Sequence, residues 1–134
     1  MKDRRWKIEL TEEQLVVMIN ALEDWHRFIS GQCSMDFATS YIKPTEQMSK
    51  VKDLLDNQVK PTMFPELDIN ESYSWCGGQP NESLSKIAAM SYLIYREARH
   101  QLILTKDVPN WNVYRNETLT CEEQGPMIKV EPID

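Results

Sequence analysis

The apolar positions of the first thirty residues change period once. Trp6, Ile8 and Leu10 alternate with Lys7 and Glu9, the two-residue repeat of a half-buried strand. The alternation stops at Thr11-Glu12-Glu13-Gln14, which reads as a capping box. The threonine hydroxyl can accept from a backbone N–H, Gln14 can reach back to the cap, and the two acids favour the positive helix end. Leu15, Met18, Leu22, Trp25 and Ile29 then follow at three- and four-residue steps, widened by Val16, Ile19 and Phe28, so a long amphipathic helix is predicted up to Gly31. From Gln32 to Pro44 the pattern fits a last helical turn, a short helix or a packed loop.

A second helix is predicted after Pro44, with Met48, Val51, Leu54 and Leu55 on one face, Lys50, Lys52, Asp53 and Asp56 on the other, and an end near Val59. Lys60 to Gln79 holds Pro61, Pro65, Asp68, Asn70 and the Gly77-Gly78 pair and reads as a long connection. Long ordered loops in compact domains are often functional. Asn81 or Ser83 can cap a third helix running to about Leu104, with Leu84, Ile87, Ala88, Tyr92, Tyr95 and Leu102 inward. Trp111 to Tyr114 and Met127 to Val130 alternate as short strands. This order predicts one α+β domain over 1–134, its terminal strands paired in a small antiparallel sheet and packed with two to three helices.

Composition narrows the partners. Twenty-one acidic against fifteen basic side chains give a formal charge of −6, which opposes non-specific binding to duplex nucleic acid or an anionic membrane. No segment approaches membrane-spanning length, and no apolar stretch near the N-terminus suggests a signal peptide. Cys33, Cys76 and Cys121 are odd in number and far apart, so they are read as unpaired residues of a reducing cytosol. They share no metal-ligand spacing with His26 or His100. The chain also lacks a P-loop, a dinucleotide fingerprint and a nucleophile elbow, so no catalytic residue, metal or cofactor is assigned.

Candidate chemistry concentrates between Ser72 and His100. Tyr73 and Trp75 offer flat faces for a purine, and Gly77 and Gly78 let backbone approach a ligand closely. Arg96 and Arg99, three residues apart on one helix, can grip phosphate oxygens in a bidentate manner. Arg27 projects from the first helix, where symmetry-related copies could gather arginines around an anion. An ordinary structural role also accounts for these residues: the rings cover the core, and the arginines form a solvated last turn that complements the helix dipole.

Ile8 to Gln14, Asp24-Trp25-His26-Arg27-Phe28 with Gly31-Gln32, Phe64-Pro65-Glu66-Leu67 before Ser72-Tyr73-Ser74, Arg96 to His100, and Pro126 to Glu131 together resemble small bacteriophage proteins, the Thoeris anti-defence protein 1 family. The chain departs from that pattern at Trp25-His26, where a tyrosine and a small polar residue are more usual, and at Cys76-Gly77-Gly78. The resemblance implies an α+β sponge, assembled through dimers into hexamers in the cytoplasm of an infected bacterium. It would bind a cyclic ADP-ribose isomer and withhold it, uncleaved, from Thoeris immunity. It further implies that Tyr73 or Trp75 stacks on adenine, Asn81 makes polar contacts, Arg99 with Arg96 holds the pyrophosphate, and Arg27 marks a subunit junction for a cyclic trinucleotide. The competing expectations are a nucleotide phosphodiesterase or glycohydrolase using Glu97 or His100, and a module that binds a host protein without a small ligand.

Overall fold

A computed structural model describes residues 4–33 and 45–133. Most of the stretch left open above, residues 34–44, lies outside them. Helix α1, Glu12–Ile29, starts at the capping box: Gln14 N donates to Thr11 Oγ1 at 3.2 Å and Thr11 N to Gln14 Oε1 at 2.9 Å. It closes at Ser30, whose N–H donates to His26 O, before Gly31 turns the chain at φ +94°. Helix α2, Thr45–Leu54, does not stop near Val59 but continues through a π turn, Leu55–Val59, into Lys60–Met63. Pro61 has no N–H for the ladder and crowds the turn before it. The wider turn accommodates that, with Lys60 N donating to Leu55 O.

Helix α3, Glu82–Leu104, is capped by Asn81, whose Oδ1 accepts from Leu84 N at 3.0 Å. It runs antiparallel to α1: His26 meets Ala88 at one end, and Lys106 pairs with Glu12 at 2.8 Å beyond the other. Ala88 and Ala98 are completely buried on α3, and their small side chains let the two helices approach. Ile19, Tyr95 and Ala98 centre the core, flanked by Leu15, Met18, Leu22, Tyr92, Leu102 and Val130. A buried Leu or Ile in such a core contributes roughly 1.5–3 kcal/mol.

The expected α+β architecture is not what forms: the described residues make an all-α fold of three helical segments without a sheet. Trp6 to Leu10 is irregular, with Trp6 81% and Ile8 76% exposed, because none of the described residues pairs with it to complete a ladder. Arg5 does reach Met127 O at 3.4 Å, so the terminal segments are neighbours without being paired strands. Trp111 to Tyr114 is bent by Asn112, whose Oδ1 accepts from Tyr114 N, into a 3-10 turn at Val113–Arg115. Met127 to Val130 likewise forms no strand; Val130 packs on the helices without an opposing partner.

The expectation of three unpaired cysteines is also corrected. Cys76 and Cys121 form a disulfide with their Cα atoms 6.2 Å apart, leaving only Cys33 as a buried free thiol among the described residues. Sequence spacing did not indicate this pairing, because a loop and a C-terminal segment both return to the start of α3. A bond spanning 45 positions stabilises by about 4 kcal/mol on loop-closure grounds. No helix among the described residues is long and apolar enough to cross a membrane.

Candidate functional site

On α3 the residues Tyr92, Tyr95, Arg96 and Arg99 recur at helical spacing, which brings their side chains into one line. The Trp75 ring, carried by the loop before α3, packs on Tyr92 with centroids 4.8 Å apart. Tyr92 meets Tyr95 edge to face at 5.5 Å. The Arg99 guanidinium lies over Tyr95 at 5.5 Å and over Tyr114 at 4.8 Å, and Arg96 covers the Tyr114 ring at 5.1 Å. Rings and guanidiniums thus form a continuous run from Trp75 to Arg96. Each cation lies within the range in which the ring quadrupole attracts it.

Glu23 anchors this run from α1. It is 2% exposed, and one oxygen pairs with Arg99 at 2.5 Å while the other accepts from Arg27 Nε at 3.1 Å and Nη2 at 2.9 Å. Burying a carboxylate is costly alone, and two guanidiniums supply what solvent would have given. Arg27 also donates to Gln32 Oε1 at 2.9 Å, and its side chain keeps 36% of its surface exposed. Arg96 Nη2 donates to the carbonyls of Val113 at 3.0 Å and Asn116 at 3.2 Å. His100 Nδ1 donates to Tyr114 O at 2.7 Å, so α3 holds the Tyr114 turn with two side chains.

Trp75, Arg96 and Arg99 lie along one run, and Arg27, expected to project elsewhere toward a separate junction between copies, is joined to it through Glu23. Tyr73 and Asn81 have other tasks. Tyr73 packs edge-on against Phe64 at 5.9 Å, with its N–H on Ser30 O, and Asn81 spends its side-chain oxygen on the helix cap. Sequence reasoning gave no role to Glu23 or Tyr114, weighed His26 only as an acid–base partner of Asp24 and set it aside, and took Tyr92 and Tyr95 for core. The Glu23/Arg27 spacing of four residues was a usable signal, whereas nothing local announced Tyr114. The α1 stripe is also rotated from its predicted position, since Trp25 is 45% exposed while His26 is buried.

The run sits in a poorly solvated setting. His26 Nδ1 donates to Ala88 O at 2.8 Å and its ring lies 5.4 Å from Tyr92 and 5.8 Å from Tyr95. Burial lowers the His26 pKa below the usual imidazole value, opposed by the Ala88 carbonyl and reinforced by Arg27. Burial, followed by the Glu23 carboxylate, pushes the Tyr95 phenol up, so it stays protonated at physiological pH. His26 and Asp24, two positions apart on α1, are both buried, and the His26 Nδ1–H is held by the Ala88 carbonyl.

A separate cavity of about 290 Å³ lies at the C-terminal end of α1, between Cys33, Asp56, Lys60 and the 69–72 loop. None of the rings or arginines of the run lines it. The buried Lys60 Nζ there donates to Ile69 O at 2.8 Å and Glu71 O at 2.6 Å, which fastens the loop. Among the described residues no cluster of three or more His, Cys, Asp or Glu side chains is placed to hold a metal ion. Compared with known proteins, the chain matches no family model, no curated protein and no solved structure.

Proposed function

We propose that this protein binds a small cyclic nucleotide of the cyclic ADP-ribose class and sequesters it without cleavage. The observation that carries the reading is the unbroken line of Trp75, Tyr92, Tyr95, Arg99, Tyr114 and Arg96. Aromatic faces stack on bases for roughly 1–3 kcal/mol each, and guanidiniums bind phosphate oxygens in pairs. Both ligand chemistries therefore have partners within one strip of surface and subsurface. Trp75, half-buried, supplies the ring nearest solvent at one end, and Arg96, also half-buried, supplies the guanidinium at the other.

The sequence resemblance to the Thoeris anti-defence protein 1 family gives the same reading a setting, although the α+β fold that it implies is not the one that forms. The protein would act in the cytoplasm of an infected bacterium, as a homo-oligomer that keeps the signal from its effector. Arg27, partly exposed and already paired with Glu23 and Gln32, would contribute at a junction between copies to a second site for a cyclic trinucleotide. Exposed Trp6, Ile8, Trp111 and Val113 provide apolar surface that neighbouring copies would cover.

Native mass spectrometry with cyclic ADP-ribose isomers and cyclic trinucleotides tests this. Retained ligand that is recovered unchanged after denaturation is the expected result. A product accumulating over many turnovers would instead establish an enzyme, and no retained mass would favour a protein-binding module.

A further inference from the structure

We propose that the Cys76–Cys121 bond is a redox-operated clasp, which decides whether the Trp75 loop is fastened to the C-terminal segment. Cys76 directly follows Trp75, whose ring covers Tyr92, and Cys121 caps the turn Glu122–Gln124. Apart from the sulfurs, the interactions joining loop and segment converge on one hydroxyl. Ser85 Oγ accepts from Gly78 N at 2.8 Å and bonds the Glu123 carboxylate. Residues 74–78 bond only locally and to Ser85, with Gly77 N donating to Ser74 O and Cys76 N to Ser74 Oγ, both at 3.1 Å, whereas Gln79 Nε2 donates to Ile29 O at 3.0 Å and holds the far end of the loop on α1. Gly77 packs so closely that a Cβ there would meet Ser85 O at 2.7 Å, so the oxidised arrangement is tight.

Two further features suit a reversible bond. Cys76 and Cys121 are half-buried, within reach of a small thiol, whereas Cys33 is 1% exposed and cannot join the exchange. The core of Ile19, Tyr95 and Ala98 contains neither sulfur, so opening the bond frees the loop while leaving the helices packed. The reductant is a low-molecular-weight thiol, RSH. Its thiolate attacks one sulfur and displaces the other, which takes up a proton. A second RS⁻ then removes the mixed disulfide as RSSR. The protein gains two electrons and two protons, and two RSH become one RSSR. In a reducing cytosol the clasp is open; oxidation closes it.

The clasp is independent of any ligand and is tested without one. The full-length protein is treated with oxidised glutathione or with dithiothreitol, its thiols are counted by intact mass after alkylation, and amide exchange is followed. Reduction should speed exchange at least tenfold in residues 74–78 and 119–124 and leave α1 and α3 protected. Cys76→Ser should exchange like the reduced protein without reductant, and Cys33→Ser should respond like wild type. Failure of the bond to form under oxidised glutathione, identical exchange in both states, or loss of helical circular dichroism on reduction would each overturn the proposal.

Discussion

Glu23 is the residue on which the arrangement of arginines turns. With its side chain 3% exposed and guanidiniums on both oxygens, it fixes Arg99 against Tyr95 and Tyr114. Glu23→Gln removes the charge and leaves two buried or half-buried cations without their carboxylate. That should cost about 3–5 kcal/mol, measured by urea unfolding, which is a large part of the total for an ordinary domain. Arg99 has the same structural duty, so Arg99→Lys, which keeps the charge but loses the fork, is a better probe of ligand binding than truncation. His26 gives a pH signature. Its folded pKa lies below its unfolded value, so as pH falls below about 6.5 the unfolded chain takes up a proton that the folded chain resists. Thermal stability should therefore decline from pH 7.5 to 5.5, and His26→Gln should lose part of that decline.

At the scale of elements, what was legible in the sequence is what is decided locally. The capping box at Thr11, the Asn81 cap and the apolar periods of α1 and α3 depend on residues a few positions apart, and these helices begin and end as read. Asn81→Ala should therefore destabilise the protein by about 1 kcal/mol in thermal unfolding, from loss of the bond to Leu84 N. The failures of architecture are non-local, whereas the rotated stripe of α1 and the π turn before Pro61 are local ones. A two-residue alternation at Trp6 to Leu10 describes a strand only when another strand lies beside it, and Pro61 ends a helix only if no wider turn absorbs it. Of the candidate site, the helical spacing of Arg96 and Arg99 was visible. Their contact with Tyr114 and the Cys76–Cys121 bond required chain reversals that no short pattern records.

On the scale of the whole molecule, an acidic chain places three arginines and four aromatic rings along one strip where α1, α3 and the Trp75 loop meet. Elsewhere, Trp6 and Trp111 are each 81% exposed, surface that a second copy would cover in the oligomer proposed above. The strip is a binding surface in this account, and stacking on Trp75 separates it from a merely structural cluster. The most direct measurement is calorimetric titration of cyclic ADP-ribose isomers into the wild-type protein and into Trp75→Ala, with circular dichroism confirming that the variant is folded. Saturable binding by the wild type, weakened roughly tenfold to a hundredfold in the variant, is the predicted result. Absence of binding to every isomer, or equal affinity in both proteins, would contradict it.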